Sequence, residues 1–156
     1  SCRFFLASST GTISVPSLFQ VPFACANLIP LPVNPNANGL FAPKLLREKS
    51  TGRLIHFREM VNYLGGPEAI VANNPSDIYH LYENEIYSLV DNTEDEILDL
   101  TLDMLDRIAG REPDEEVRRL QLRFKEIYFG PSTDLIDYSP DISGRFAVKY
   151  RDLLED

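Results

Sequence analysis

Arg3-Phe-Phe-Leu-Ala-Ser8-Ser-Thr-Gly11 and, a short interval later, Val21-Pro-Phe-Ala-Cys-Ala-Asn-Leu28 decide the fold class of this 156-residue chain. Arg3 to Ala7 is aromatic and aliphatic without polar alternation, and it stops at Ser8, Ser9, Thr10 and Gly11, the pattern of a buried strand running into a turn. Thr12 to Gln20 carries Ile13, Val15, Leu18 and Phe19 at near-helical spacing, with Pro16 tolerated in the first turn, which predicts a short helix. Val21 to Leu28 is too short for a helix and lacks polar alternation, as expected of a strand covered on both faces. Strand, turn, helix, strand is the opening of an α/β domain.

The apolar residues Phe4, Phe5 and Leu6 follow Ser1 almost at once, so the first strand is expected to belong to a sheet whose other strands lie upstream in a longer protein. Downstream, residues 29–39 hold three prolines and three asparagines, which forbids regular structure and predicts a long loop. In an α/β sheet, loops at the carboxyl ends of strands are where ligands are usually met. Leu40 to Glu48 reads as a short amphipathic segment, Leu54 to Phe57 as a strand, and Arg58 to Leu64 as a helix closed by Gly65, Gly66 and Pro67. Residues 68–91 are broken by Asn73, Asn74 and Pro75, with Ile86 to Val90 either a strand or an extended link.

From residue 92 the signals become helical. Thr93 with Glu96 three residues on fits a capping box, and Ile97, Thr101, Met104, Leu105 and Ile108 are expected to line one face until Gly110. A second helix follows Pro113, with Val117, Leu120, Phe124 and Ile127 on one side, and ends at Gly130. A third is expected where Phe146, Tyr150 and Leu153 recur. The expected division is a partial Rossmann-like domain over 1–91, with the helices of 92–156 packing on it.

Composition limits the function classes. A hydrophobic content of 44% supports one ordinary core. The formal net charge of −9 argues against a nucleic-acid surface, which needs clustered Lys and Arg, and against an anionic membrane. Cys2 and Cys25 sit in apolar segments without metal-ligand spacing and read as buried thiols of a reducing compartment. No stretch approaches the length of a transmembrane span. His56 and His80 have no carboxylate-rich ligand set around them, and no metal or cofactor is expected.

The chemistry is concentrated in the first turn. A helix start carries unpaired N–H groups and a partial positive charge, so a small-residue turn feeding it can hold a phosphate against the backbone. Within the turn Ser8 to Gly11, the hydroxyls of Ser9 and Thr10 would add hydrogen bonds, and Gly11 would permit close approach. The same residue types also serve simply to cap helices. Lys44 and Arg47 could neutralise a diphosphate or be solvated bases, and Glu94, Asp95 and Glu96 would repel one. No nucleophile and base pair with local spacing is present, and no GxGxxG fingerprint.

Phe4, Leu6, Ser8-Ser9-Thr10-Gly11, then Pro16, Leu18, Phe19, then Val21-Pro22-Phe23 and Asn27, resemble the nucleotide-sugar side of bacterial GT-B-fold glycosyltransferases. The resemblance is to a family associated with surface polysaccharides and, more remotely, to heptosyltransferases. It continues through Asn38 to Lys44, Asp91-Asn92-Thr93 and Ile142 to Leu154. It implies a fragment of the C-terminal donor domain, with Ser8, Ser9, Thr10, Gly11 and Asn27 as substrate-binding residues. The partners implied are a nucleotide-sugar donor, a glycan or lipid-linked acceptor, and a missing N-terminal domain without which the fragment is inactive. The expected location is the cytoplasm, at the inner membrane face. The heptosyltransferase pattern has an acidic residue near Ser9 and a glycine near Gln20, and this chain departs from both. A nucleotide-sugar epimerase of the same fold and a non-catalytic α/β scaffold are the alternatives.

Overall fold

Apolar stretches that lack polar alternation become the strands of one parallel sheet. The computed structural model describes residues 2–8, 16, 18–29, 38–67, 69, 80–130, 136 and 139–155. Strands β1 (Phe5–Ser8), β2 (Phe23–Leu28), β3 (Gly39–Pro43) and β6 (Asp141–Ile142) form a four-stranded sheet in the order β1-β2-β3-β6. Every pairing in it is parallel, with Phe5 opposite Phe23, Cys25 opposite Phe41, and Phe41 opposite Ile142. The inner strands are buried on both faces, from Phe23 to Ala26 and through all of β3, because helices cover the sheet. The result is an α/β, Rossmann-like layout.

Two expectations are corrected between β3 and the first well-described helix. The amphipathic segment at Leu40 to Glu48 is two strands: β3, and then β4 (Leu45–Glu48), which leaves the parallel sheet and pairs antiparallel with β5 (Tyr87–Val90). Pro43 has no N–H for a ladder, and Lys44 N instead donates to Leu28 O at 2.8 Å as the chain changes sheets. Leu54 to Phe57 is not a strand. Leu54 makes an isolated bridge to Arg47, and Phe57 already opens helix α1 (Phe57–Tyr63). The open alternative at Ile86 to Val90 resolves in favour of a strand.

Helix α2 (Glu94–Ile108) begins with the capping box: Glu96 N donates to the Thr93 side chain, and Thr93 N to the Glu96 carboxylate at 2.9 Å. The helix lies against β2 and β3. Its buried row is Glu96, Leu100 and Met104; of the expected face Met104 is buried, Ile97 and Ile108 pack partly buried against the core, and Leu105 is exposed. Helix α3 (Glu115–Phe129) buries Leu120, Phe124 and Ile127 as its periodicity predicts, and Gln121, Tyr128 and Phe129 as well. Phe124 stacks on Tyr128 at 4.4 Å and meets Phe41 and Phe57 edge-on at 5.3 and 5.2 Å, which joins sheet, α1 and α3 in one aromatic core. Helix α4 (Gly144–Lys149) and a 3-10 turn (Arg151–Leu153) close the chain, with Phe146 buried. A side-chain carbon on Gly144 would lie 2.7 Å from Val117, so glycine is what lets α4 meet α3.

The region from residue 92 is not helices alone, since it contributes β6 to the sheet. One of the two thiols also differs from expectation. Cys25 is fully buried in β2, where burial pushes its pKa up to about 12, whereas Cys2 is exposed because it precedes β1 at the sheet edge. Among the described residues no helix is long and apolar enough to cross a membrane.

Candidate functional site

Parallel strands deliver all their carboxyl ends to one edge of a sheet, and the connections leaving that edge form the natural ligand crevice of an α/β fold. Here the edge carries Ser8 at the end of β1, Asn27 near the end of β2, and Pro43 and Lys44 at the end of β3. Ser8 is exposed and lies in register with Ala26, so β1 ends one residue short of Asn27 in register. Ser9, Thr10 and Gly11, and most of the helix expected over 12–20, lie outside the described residues, as does most of the loop expected at 29–39. Pro16 and Leu18 are helical, and Val21 N donates to Pro16 O at 2.9 Å as that segment ends.

Gln20 ends it with φ 54°, the left-handed conformation that glycine supplies at least cost at a helix C-terminus.

Asn27 is the other non-glycine residue with positive φ among the described residues, at 55°, and it sits where the β2–β3 register shifts. Bulges of this kind re-aim side chains at strand ends. Asn27 is held by Asn92 through reciprocal hydrogen bonds. Asn27 N donates to Asn92 Oδ1 and Asn92 N donates to Asn27 Oδ1, both at 2.6 Å. Asn92 Nδ2 also donates to Pro43 O at 2.9 Å. One buried asparagine therefore ties the ends of β2 and β3 to the residue that precedes the N-cap of α2. Lys44 is ion-paired with Asp91 beside it. Asn27 thus has a demonstrated framework role at this edge, and Lys44 meets a carboxylate.

The acidic run at the start of α2 divides by direction. Glu94 and Asp95 are exposed, while Glu96 is 2% exposed and turns inward. Glu96 accepts from Lys149 Nζ at 2.7 Å and Tyr150 Oη at 2.5 Å. Burial opposes its charge, but the bonds from Lys149, Tyr150 and the Thr93 backbone outweigh burial and hold its pKa below the ordinary carboxylate value. The Thr93 N–H at the start of α2 is therefore taken by the helix's own carboxylate.

A cavity of about 1030 Å³ lies on the flank of α2 that faces α3 and α4, lined by Asp103, Asp106, Arg107, Gln121, Asp141 and Arg145 among others. Its charges largely satisfy one another. Arg145 pairs with Asp103 and with Asp106, and Asp141 takes Arg107 at 2.5 Å and Lys125 at 2.7 Å. These pairs join α2 to α4 and both α2 and α3 to β6, so the strand ends remain the better candidate site. Among the described residues no group of three or more His, Cys, Asp or Glu side chains is arranged to hold a metal ion. His56 is partly buried ahead of α1.

The resemblance gave Asn27 as a substrate-binding residue, and Asn92 was missed as its partner. The only local signal for Asn92 was its position next to the Thr93 cap, which says nothing about a residue so far away in the chain. Comparison with protein-family models, with curated proteins and with solved structures finds no match to this chain.

Proposed function

We propose that this chain is the donor-binding part of a GT-B-type glycosyltransferase that moves a sugar from a nucleotide donor to a glycan or lipid-linked acceptor. The observation that carries the reading is the parallel pairing of β1 with β2. It puts Ser8, the last residue of β1, at the carboxyl edge of the sheet beside the strand end that Asn92 anchors, and the reading takes Ser9, Thr10 and Gly11 to continue from there. The resemblance of the first thirty or so residues to the nucleotide-sugar side of such enzymes supports it, and Rossmann-type sheets bind ligands at this edge.

In this reading Ser9, Thr10 and Gly11 face the donor diphosphate. Backbone N–H groups and the helix dipole stabilise the leaving diphosphate as its charge develops during direct displacement by the acceptor. Asn27 shapes the pocket floor through its backbone, while its side-chain oxygen is engaged with Asn92.

Titration with UDP, GDP, CDP and ADP, followed by thermal unfolding, tests the proposal. At least one should raise Tm, and at a hundredfold excess over Kd the stabilisation is about 2.7 kcal/mol. Gly11→Val should abolish that shift while leaving the unliganded Tm within a few degrees. If no diphosphate shifts Tm, a non-catalytic scaffold is the better reading. Free epimerised nucleotide-sugar, without transfer to an acceptor, would identify an epimerase instead.

A further inference from the structure

Two lysines are drawn largely out of water, and the fold treats them differently. The Lys125 side chain is 13% exposed, and its three N–H donors meet the Asp141 carboxylate at 2.7 Å, Ile136 O at 3.1 Å and Ser139 O at 3.2 Å. That ammonium is fully engaged by the protein. The Lys44 side chain is 20% exposed, yet its ammonium bonds a single partner among the described residues, the Asp91 carboxylate. Two donors remain, and a partly desolvated cation with donors to spare favours a further anion.

The place of Lys44 says where that anion would sit. Lys44 directly follows β3 at the carboxyl edge of the parallel sheet, and its backbone N–H is tied to Leu28 O at 2.8 Å. Asp91 adjoins Asn92, whose N–H bonds Asn27 Oδ1, so the ion pair stands beside the end of β2, the neighbour of β1. Arg47 belongs instead to β4, in the antiparallel pair, and not to this edge.

Asp91 is also a replaceable partner. Its side chain is 71% exposed, so parting from Lys44 leaves it hydrated, whereas Lys149 could leave Glu96 only by stranding a carboxylate that is 3% exposed. A diphosphate carries more charge and more acceptor oxygens than one carboxylate, and it wins the ammonium from a solvated competitor.

We propose that Lys44 is a substrate-binding residue of the strand-end site: its ammonium takes the donor diphosphate, and Asp91 is the counter-ion that the donor displaces. The inference rests on the glycosyltransferase reading and adds to it the side chain that neutralises the donor's charge. Calorimetric titration of the full chain with UDP, GDP, CDP and ADP identifies the diphosphate that binds. K44A should lower that affinity about tenfold or more, and K44R, which keeps the charge, should stay within about threefold of the wild type. D91N should raise the affinity about twofold to fivefold, the reach of an exposed ion pair. A purely structural pair would instead make D91N weaken binding along with K44A, since both would loosen the same edge. Unchanged affinity in K44A, or affinity that D91N leaves equal or lowers, overturns the assignment of Lys44 while the glycosyltransferase reading stands. If none of the four diphosphates binds the wild type, that reading falls and this inference with it.

Discussion

Replacing Glu96 by alanine should destabilise the protein by about 2–3 kcal/mol, a large share of the 5–15 kcal/mol typical of a domain. Glu96 is 2% exposed and serves three partners: Thr93 N at 2.9 Å, Lys149 Nζ at 2.7 Å and Tyr150 Oη at 2.5 Å. Losing the return half of the capping box costs about 0.5–1 kcal/mol. Losing the charge-assisted bonds that tie α2 to α4 costs about 1.5–3 kcal/mol. The total falls short of the penalty for stranding a buried charge, because the Lys149 side chain is 46% exposed and can be rehydrated. Urea unfolding of the wild type, E96A and E96Q measures the effect, with E96Q losing roughly half as much because it keeps neutral hydrogen bonds. The pH dependence supplies a second readout. Because the folded-state pKa of Glu96 lies below its ordinary value of 4.5, its contribution is complete above that value and is lost as pH falls through the folded-state pKa. The pKa of Lys149 is raised above 10.5, chiefly by its bond to Glu96, so that contribution is complete below 10.5 and is lost as pH rises beyond it. E96Q should flatten the acid limb of stability. A loss under about 0.5 kcal/mol for E96A, or an unchanged acid limb in E96Q, would refute the idea that this carboxylate fastens the C-terminal helix to the sheet-covering helix.

Tyr128→Phe should be neutral or stabilising by up to about 1 kcal/mol in the same unfolding assay, since the buried Tyr128 hydroxyl has no hydrogen-bond partner among the described residues and its ring contacts survive. A loss above 1 kcal/mol would mean that the hydroxyl has a partner. Gly39→Ala should cost about 2 kcal/mol, because a side-chain carbon there would lie 2.4 Å from the Phe23 ring in a buried parallel pair. Phe23→Leu in the same chain should recover part of that loss, and strict additivity of the two substitutions would show that they do not meet.

Local chemistry made several elements legible. The apolar runs around Phe5 and Ala24, the Thr93 and Glu96 box, and the Leu120, Phe124 and Ile127 row each announce themselves within a few residues, because a strand end, a cap and a helix face are built from near neighbours. The split of Leu40 to Glu48 into two strands was not legible, since β3 is buried on both faces and so shows neither strand nor helix periodicity. The buried place of Leu100 in α2 was hidden for a related reason: Leu105, which the expected face included, is as apolar as Leu100, which it did not, and only packing against β2 and β3 chooses between them. Strand β6 is too short to leave a pattern and exists because Phe41 presents a free ladder edge to Ile142. The clasp of Asn27 by Asn92 joins residues 65 positions apart. A sequence determines which segments can be strand, cap or helix because those depend on interactions between neighbours along the chain. Which apolar face is buried, and which polar residue meets which at the carboxyl edge, depends on distant segments sharing one core, and only the tertiary structure decides that.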